Sequence, residues 1–300
     1  EGQGDVAIYV LSRISGEGND RPVEEGEIKL SATEKRDILA LNEKYDKFML
    51  VLNVGGVVDL SDVTEVKNIL VLSQLGVDTG TALVDILLGR QNPSGKLATT
   101  WAAWDQYAPM DDFEDINDTR YQEGIYVGYK YYETRYEDAV MEQGNASGNA
   151  GIFASKGDSW VYGEEVAYPF GYGMSYTTFE QALESVTYDA ATDSFTVLVK
   201  VTNTGNVAGK EVVQVYGQQP YTEFDRANAI EKASVQLVGF GKTNVLQPGE
   251  SETVSVTVDR KELTVYDEHV NKTYILEAGD YYLSVGLDAH DAVNNILAAK

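Results

Sequence analysis

The chain has 300 residues, with 48 acidic against 23 basic side chains and a formal net charge of −25. With no local basic patch to offset it, that balance excludes a nucleic-acid backbone or an anionic membrane surface as partner, and no run of about 18 apolar residues is present to span a bilayer. Cysteine is absent, which excludes disulfides, thiolate nucleophiles and cysteine-based metal sites, while the hydrophobic content suits a folded chain of roughly two domains.

Asp5 to Leu11 is a continuous apolar run rich in β-branched residues and reads as a buried strand. A chain that opens on Glu1 and enters such a strand at once is expected to be a piece of a longer protein. A glycine- and charge-rich loop follows, Ser12 to Gly26. Ser31 with Glu34 forms a capping-box pattern that starts a helix through about Lys47. Phe48 to Val54 and Val66 to Ser73 hold two more buried strands, and Thr79 to Leu88 a helix ended by Gly89. Strand–helix alternation with apolar strands predicts an α/β sandwich, a mostly parallel sheet with flanking helices.

Residues 98–168 are rich in Tyr, Asp, Gly and Asn and read as long loops around one or two short strands, Ile125 to Tyr132 being the best of them. From about Phe179 the period changes to two. Phe195–Thr202, Glu211–Tyr216, Ala233–Phe240, Thr253–Val258 and Tyr281–Val285 are separated by turn signals and predict an all-β part, a small β-sandwich of about 110 residues. Residues 289–300 look helical and read as the entry to another element.

Few motifs point to chemistry. Gly89 to Lys96 imitates a phosphate-binding loop, but the glycine spacing is one residue too long, Leu97 replaces the magnesium-binding hydroxyl and Pro93 removes a backbone N–H. No dinucleotide fingerprint is present, so no cofactor is expected. The acidic stretch 111–118 lacks the spacing of a calcium loop, and His269 and His290 stand far apart, so no metal is expected either. The informative segment is Ser12 to Arg21, directly after the first strand, where open parallel sheets bind ligands. It carries Glu17 between Gly16 and Gly18, flanked by Asp20 and Arg21 as a candidate ion pair at the loop base. On the residues alone, a functional and a structural role for this loop both stay open.

Leu11 to Pro22 (LSRISGEGNDRP) resembles the acid/base loop of bacterial glycoside hydrolase family 3 β-glucosidases. Collinear with it, LVLNVGGVVDL (50–60), NPSGKLATTW (92–101), RYQEGIYVGYKYY (120–132), PFGYGMSYTTFE (169–180), TNTGNVAGKEVVQVY (202–216) and QPGESETVSV (247–256) are similar to further segments of that family. The resemblance implies a partial α/β sandwich domain over 1–175, a fibronectin-III-like β-sandwich over 176–288, and over 289–300 the start of a connection to a missing element. It also implies a (β/α)8-type barrel carrying the nucleophilic aspartate. Ser61-Asp62-Val63 is the nearest match to that motif and lacks its aromatic residue, so the nucleophile is not placed on it. The barrel is expected outside this chain, downstream of the sandwich.

By resemblance Glu17 is the general acid/base of a retaining glycosidase, and the partners are a β-linked glycoside or oligosaccharide and the missing barrel of the same protein. Retaining hydrolysis needs two carboxyl groups about 5–5.5 Å apart, so the chain alone is expected to be inactive. With no barrel to bury it, Glu17 is expected to stay ionised. The alternative from a different class is a non-catalytic carbohydrate-binding or adhesion module built on the β-sandwich. The sugar, the linkage and the compartment are not set by these residues.

Overall fold

The computed structural model describes residues 4–14, 21–106, 117–118, 123–141 and 161–300. Chain contacts divide it into two compact units, one of residues 1–91 with 101–107 and the other of 92–100 with 108–300.

The first unit is built on a parallel sheet in the order β1 (Ala7–Ser12), β2 (Phe48–Asn53), β3 (Ile69–Val71). Tyr9 lies opposite Leu50 and Leu11 opposite Leu52, while Leu50 and Leu52 face Ile69 and Val71 on the other side. β2 is central, and Phe48, Leu50, Val51 and Leu52 are buried, as a strand covered on both faces requires. β1 departs from the expectation of full burial. It is an edge strand, and Ile8 and Val10 stay about half exposed on one face. Between β1 and β2 runs α1 (Ala32–Lys44). Ser31 Oγ accepts from the Glu34 N–H while Glu34 accepts from the Ser31 N–H, so both halves of the predicted capping box are present. Ile38 is the residue that α1 buries completely in the core. α2 (Thr79–Leu87) and the two-residue strand β4 (Trp101–Ala102) complete this unit.

The second unit opens with α3 (Tyr129–Met141), α4 (Tyr162–Glu165) and β5 (Val166–Tyr168). Here the prediction of a strand over Ile125–Tyr132 is corrected. Gly124 and Gly128 have φ of +55° and +59°, which breaks any extended run. The Gly128 carbonyl then accepts from the Tyr131 and Tyr132 N–H groups and opens α3. The aromatic content looked β-forming, but Tyr129, Tyr132 and Tyr136 recur at helical spacing, and burial of those rings overrides propensity.

Two antiparallel sheets follow. One has the order β10 (Ser251–Asp259), β7 (Ser194–Asn203), β6 (Phe179–Asp189). The other has the order β13 (Tyr282–Gly286), β8 (Val212–Gln218), β9 (Gln236–Lys242). Period-two alternation sends Val197, Val199 and Val201 of β7, Val213 and Val215 of β8 and Val254, Val256 and Val258 of β10 into one buried cluster. Register pairs Val199 with Val254 and Val197 with Val256. A short helix α5 (Glu223–Ala227) lies between β8 and β9, and a hairpin, β11 (Val265–Asp267) with β12 (Thr273–Ile275), between β10 and β13.

Residues 289–299 form α6 (Ala289–Ala299), capped by Asp288 accepting from the Asp291 N–H. α6 packs Ala289, Ala292, Val293 and Ile296 against Tyr216 and Val235, with Tyr129, Tyr136 and Phe170 alongside. Among the described residues no helix is long and apolar enough to cross a membrane.

Candidate functional site

The loop expected to carry the chemistry leaves the carboxyl end of β1. Glu17, with Ser15, Gly16, Gly18, Asn19 and Asp20, lies outside the described residues; both roots of the loop are described. At that edge the ends of the three parallel strands are laced together. The Arg13 N–H donates to the Asn53 carbonyl at 3.2 Å, and Gln74 Nε2, beyond β3, donates to the Arg13 carbonyl at 3.1 Å.

Two arginines hold the roots. Arg13 is buried, and its guanidinium reaches Glu27 O at 2.7 Å, Ser12 O at 2.9 Å and both Glu34 carboxylate oxygens at 2.8 Å. This is a two-pronged arginine–carboxylate pair, the strong geometry for such a contact. Burial on its own would raise Glu34, but the hydrogen bonds from Arg13 and Ser31 outweigh it and hold the carboxyl below its ordinary value. Arg21 enters from the other root. It donates to Val57 O at 2.7 Å and to Glu27 O at 3.2 Å, with Glu27 Oε2 at 3.8 Å from Nε. A methyl group on Gly56 would stand 3.1 Å from Arg21 Nη1, so the bare backbone leaves room for this approach. The two guanidinia thus converge on one carbonyl, that of Glu27, and fasten both ends of residues 14–20 to the body of the first unit. Arg21 was singled out from sequence through Asp20; Arg13 was not, because its partners lie 14 and 21 residues away.

Other expectations fall as follows. Asp62 of the nucleophile-like Ser61-Asp62-Val63 is exposed and paired with Lys35 at 2.8 Å, a surface contact. In the segment that imitates a phosphate loop, Gly89 turns the chain at φ +67° after α2. Lys96 donates to Gly173 O at 2.7 Å and pairs with Glu211 at 2.9 Å, so its charge is already engaged. Of the acidic stretch 111–118, residues 111–116 lie outside the described residues.

Sequence reasoning missed one buried polar cluster. Glu133 of α3 is fully buried; Tyr162 Oη donates to its Oε1 at 2.5 Å and His290 Nδ1 of α6 lies 2.9 Å from its Oε2. The Tyr162 and His290 rings stack at 3.7 Å. Burial raises Glu133, and the contacts from His290 and Tyr162 oppose that rise. Nearby, Tyr136 Oη donates to Asn294 Oδ1 at 2.8 Å and Lys300 Nζ reaches Glu137 at 2.5 Å. These groups bind α3 to α6 and are satisfied by one another, the pattern of an internal brace. Helical spacing shows neither the cluster nor the brace, because Glu133 and His290 are 157 residues apart.

With this geometry in hand, comparison with known proteins is decisive. Residues 2–129 match the glycosyl hydrolase family 3 C-terminal domain, and residues 211–289 the fibronectin type III-like domain. The chain belongs to glycosyl hydrolase family 3. It is similar to Beta-glucosidase A of Butyrivibrio fibrisolvens, at 33% identity over 96% of this chain and 36% of that protein. It is also similar to an exo-alpha-(1->6)-L-arabinopyranosidase of Bifidobacterium longum, at 30% identity over 98% of this chain and 34% of that protein. Among solved structures, beta-glucosidase 3B of Thermotoga neapolitana in complex with glucose superposes with a TM-score of 0.77 at 35% identity, covering 96% of this chain and 36% of that one. This family 3 chain therefore spans about a third of the length of the relatives it matches, which are longer enzymes of more than one sugar specificity.

Proposed function

We propose that this chain supplies the general acid/base loop of a retaining β-glucosidase-type enzyme that removes terminal β-linked sugars, with Glu17 as the proton-transferring carboxyl. The observation that carries the reading is the loop's placement: it leaves the carboxyl end of a parallel strand, where such sheets present ligand-binding groups, and both of its roots are pinned by arginine. The loop's similarity to the family's acid/base segment and the β-glucosidases among the relatives support it. In the proposed reaction, a nucleophilic carboxylate on a (β/α)8-type barrel of the same protein attacks the anomeric carbon. Glu17 gives its proton to the departing glycosidic oxygen, then takes one from the water that releases the sugar from the glycosyl-enzyme. The arabinopyranosidase among the relatives leaves the sugar to be found by assay, and a β-glucoside is the first to try.

The test compares the complete enzyme with its Glu17→Ala and Glu17→Gln forms on aryl β-glucosides of differing leaving group, alongside the 300-residue chain by itself. The variants should lose kcat by roughly 10²–10⁴-fold, most for poor leaving groups, and azide should restore turnover to E17A. The chain alone should give no turnover. Unchanged kinetics in E17A, or hydrolysis by the isolated chain, would refute the assignment.

A further inference from the structure

Neither the sheet of the first unit nor α1 is held by Arg21. The parallel register of β1 with β2 and of β2 with β3 forms without it, and so does the capping box of α1. Its side chain is nevertheless only 19% exposed, and its guanidinium donates to two carbonyls from separate segments, Val57 O at 2.7 Å and Glu27 O at 3.2 Å. Its ion-pair contact is loose, with Glu27 Oε2 standing 3.8 Å from Nε. The planar fork of the side chain, more than its charge, is what these contacts use.

What Arg21 does hold is the exit of the loop that carries Glu17. In sequence Glu17 lies four residues before Arg21 and four after Arg13. The entry side is tied several times over. Arg13 is bound through Glu27 O and the Glu34 carboxylate, and Gln74 donates to the Arg13 carbonyl from behind Ser73, a serine held at φ +59°. Backbone in that region is costly for a residue other than glycine and collects at functional sites. On the exit side the first tie among the described residues is Arg21. The next backbone hydrogen bonds are at Glu24, whose carbonyl accepts from the Glu27 and Lys29 N–H groups at 3.2 and 3.1 Å. Without Arg21, the chain from Glu17 to its first tied residue lengthens from four residues (17 to 21) to seven (17 to 24), at about 3.3–3.6 Å of reach for each.

We propose that Arg21 is a positioning residue for proton transfer by Glu17: its fork, set on two carbonyls, fixes the exit of the loop and so the reach of the carboxyl to the glycosidic oxygen. The inference rests on the reading of Glu17 as the acid/base, and it deepens that reading by naming the group that aims it. A misplacement of about 1 Å at a reacting group can cost roughly 10²-fold. Loss of Arg21 is therefore felt in the proton-transfer step and not in the attack of the nucleophile. Lysine keeps the charge but offers no planar fork, so it does not replace arginine here.

The test uses the complete enzyme and compares kcat/KM, which reads formation of the glycosyl-enzyme, on 2,4-dinitrophenyl and phenyl β-glycosides of the sugar it takes. Dinitrophenolate departs without a proton, whereas phenolate needs one. Arg21→Ala and Arg21→Lys should each lower kcat/KM for the phenyl substrate by roughly 10–100-fold and for the dinitrophenyl substrate by less than about threefold. The pH limbs of the parent should stay where they are, because Arg21 acts by geometry and not by charge. The ratio of the two substrates cancels the amount of folded enzyme, so a variant that folds poorly is still read. In an E17A background, R21A should change phenyl glycoside turnover by less than about threefold. An unchanged phenyl rate in R21A, a loss equal on both substrates, full activity in R21K, a displaced pH limb or an R21A effect that persists beside E17A would overturn the proposal. Unchanged kinetics in E17A itself would refute the Glu17 assignment, so the two failures are told apart.

Discussion

Asn203 ends β7 completely buried, and its amide makes four hydrogen bonds that tie its own following turn to Thr177 and to Leu246. Oδ1 accepts from Thr177 Oγ1 at 2.8 Å and from the Gly205 N–H at 3.1 Å, while Nδ2 donates to Val207 O at 2.8 Å and to Leu246 O at 2.9 Å. Asn203→Ala strands all four. The Thr177 and Leu246 bonds are buried, so each lost partner leaves a group that water does not reach; the Val207 and Gly205 groups are part-buried and recover some solvation. At about 1–3 kcal/mol for each of the first two and a fraction of that for the others, the loss is about 3–5 kcal/mol. For a domain of this size that lowers the melting temperature by roughly 10–20 °C. Asn203→Asp preserves shape and both accepting contacts but turns an oxygen toward the Val207 and Leu246 carbonyls. Burial and those carbonyls raise the introduced carboxyl above its unfolded value of about 3.9. The contribution is therefore intact below about pH 4 and is lost as pH rises through the folded value. Calorimetry of the parent, N203A and N203D at pH 4 and pH 7.5 reads all of this. A melt of N203A within about 3 °C of the parent, or an N203D deficit equal at both pH values, would refute the reasoning.

Two further outcomes follow from buried charge. Asp267 accepts from the Val270, Asn271 and His269 N–H groups and from Asn271 Nδ2, and these bonds, Val270 first, push its carboxyl down to about 2. Its contribution is present above the unfolded carboxyl value of about 4 and lost as pH falls through about 2, so D267N should flatten the acid limb of a stability–pH curve. Lys232, buried between Asp225 at 2.7 Å and Glu277 at 2.5 Å, also donates to Pro220 O. K232M leaves two carboxylates facing each other and should cost about 3–5 kcal/mol by denaturant titration at neutral pH, a loss that shrinks at acid pH as the carboxylates protonate.

Local signals were legible from sequence wherever the partner was near. Ser31 and Glu34 are three residues apart, and the capping box forms as the pattern requires. The alternating valines of β7, β8 and β10 announce a buried face without reference to anything distant. The failures have the opposite character. Ile125–Tyr132 has strand composition, yet beyond the glycine turns its rings are received by surfaces far along the chain: Tyr129 stacks on Phe170 and meets the edge of Tyr216, and Tyr136 of the same helix reaches Asn294 of α6. The roles of Arg13, Asn203 and Glu133 do not show in the sequence because partners of each lie far along the chain: Glu34 for Arg13, Leu246 for Asn203 and His290 for Glu133. The candidate site was legible in part for the same reason. A carboxyl between two glycines is visible at short range, whereas the arginine anchors at its roots appear only when β1, β2 and α1 are assembled.

The segments that made the family recognisable prove on inspection to be mostly joints. NPSGK and PFGYGMSY are one piece of construction in the second unit. Asn92 Oδ1 accepts from Ser175 Oγ and the Tyr176 N–H, both at 2.8 Å, and Lys96 donates to Gly173 O. A methyl group on Gly173 would stand 2.2 Å from the Gly95 carbonyl, so glycine there is a condition of the two segments meeting at all. The TNTG segment supplies Asn203, and Gly205 in turn would collide with Thr177 if it carried a Cβ. Such contacts restrict sequence severely without touching any ligand, which is why they are easy to match and why they say little about the sugar. The relatives agree with this, since a β-glucosidase and an arabinopyranosidase match the chain at nearly equal identity.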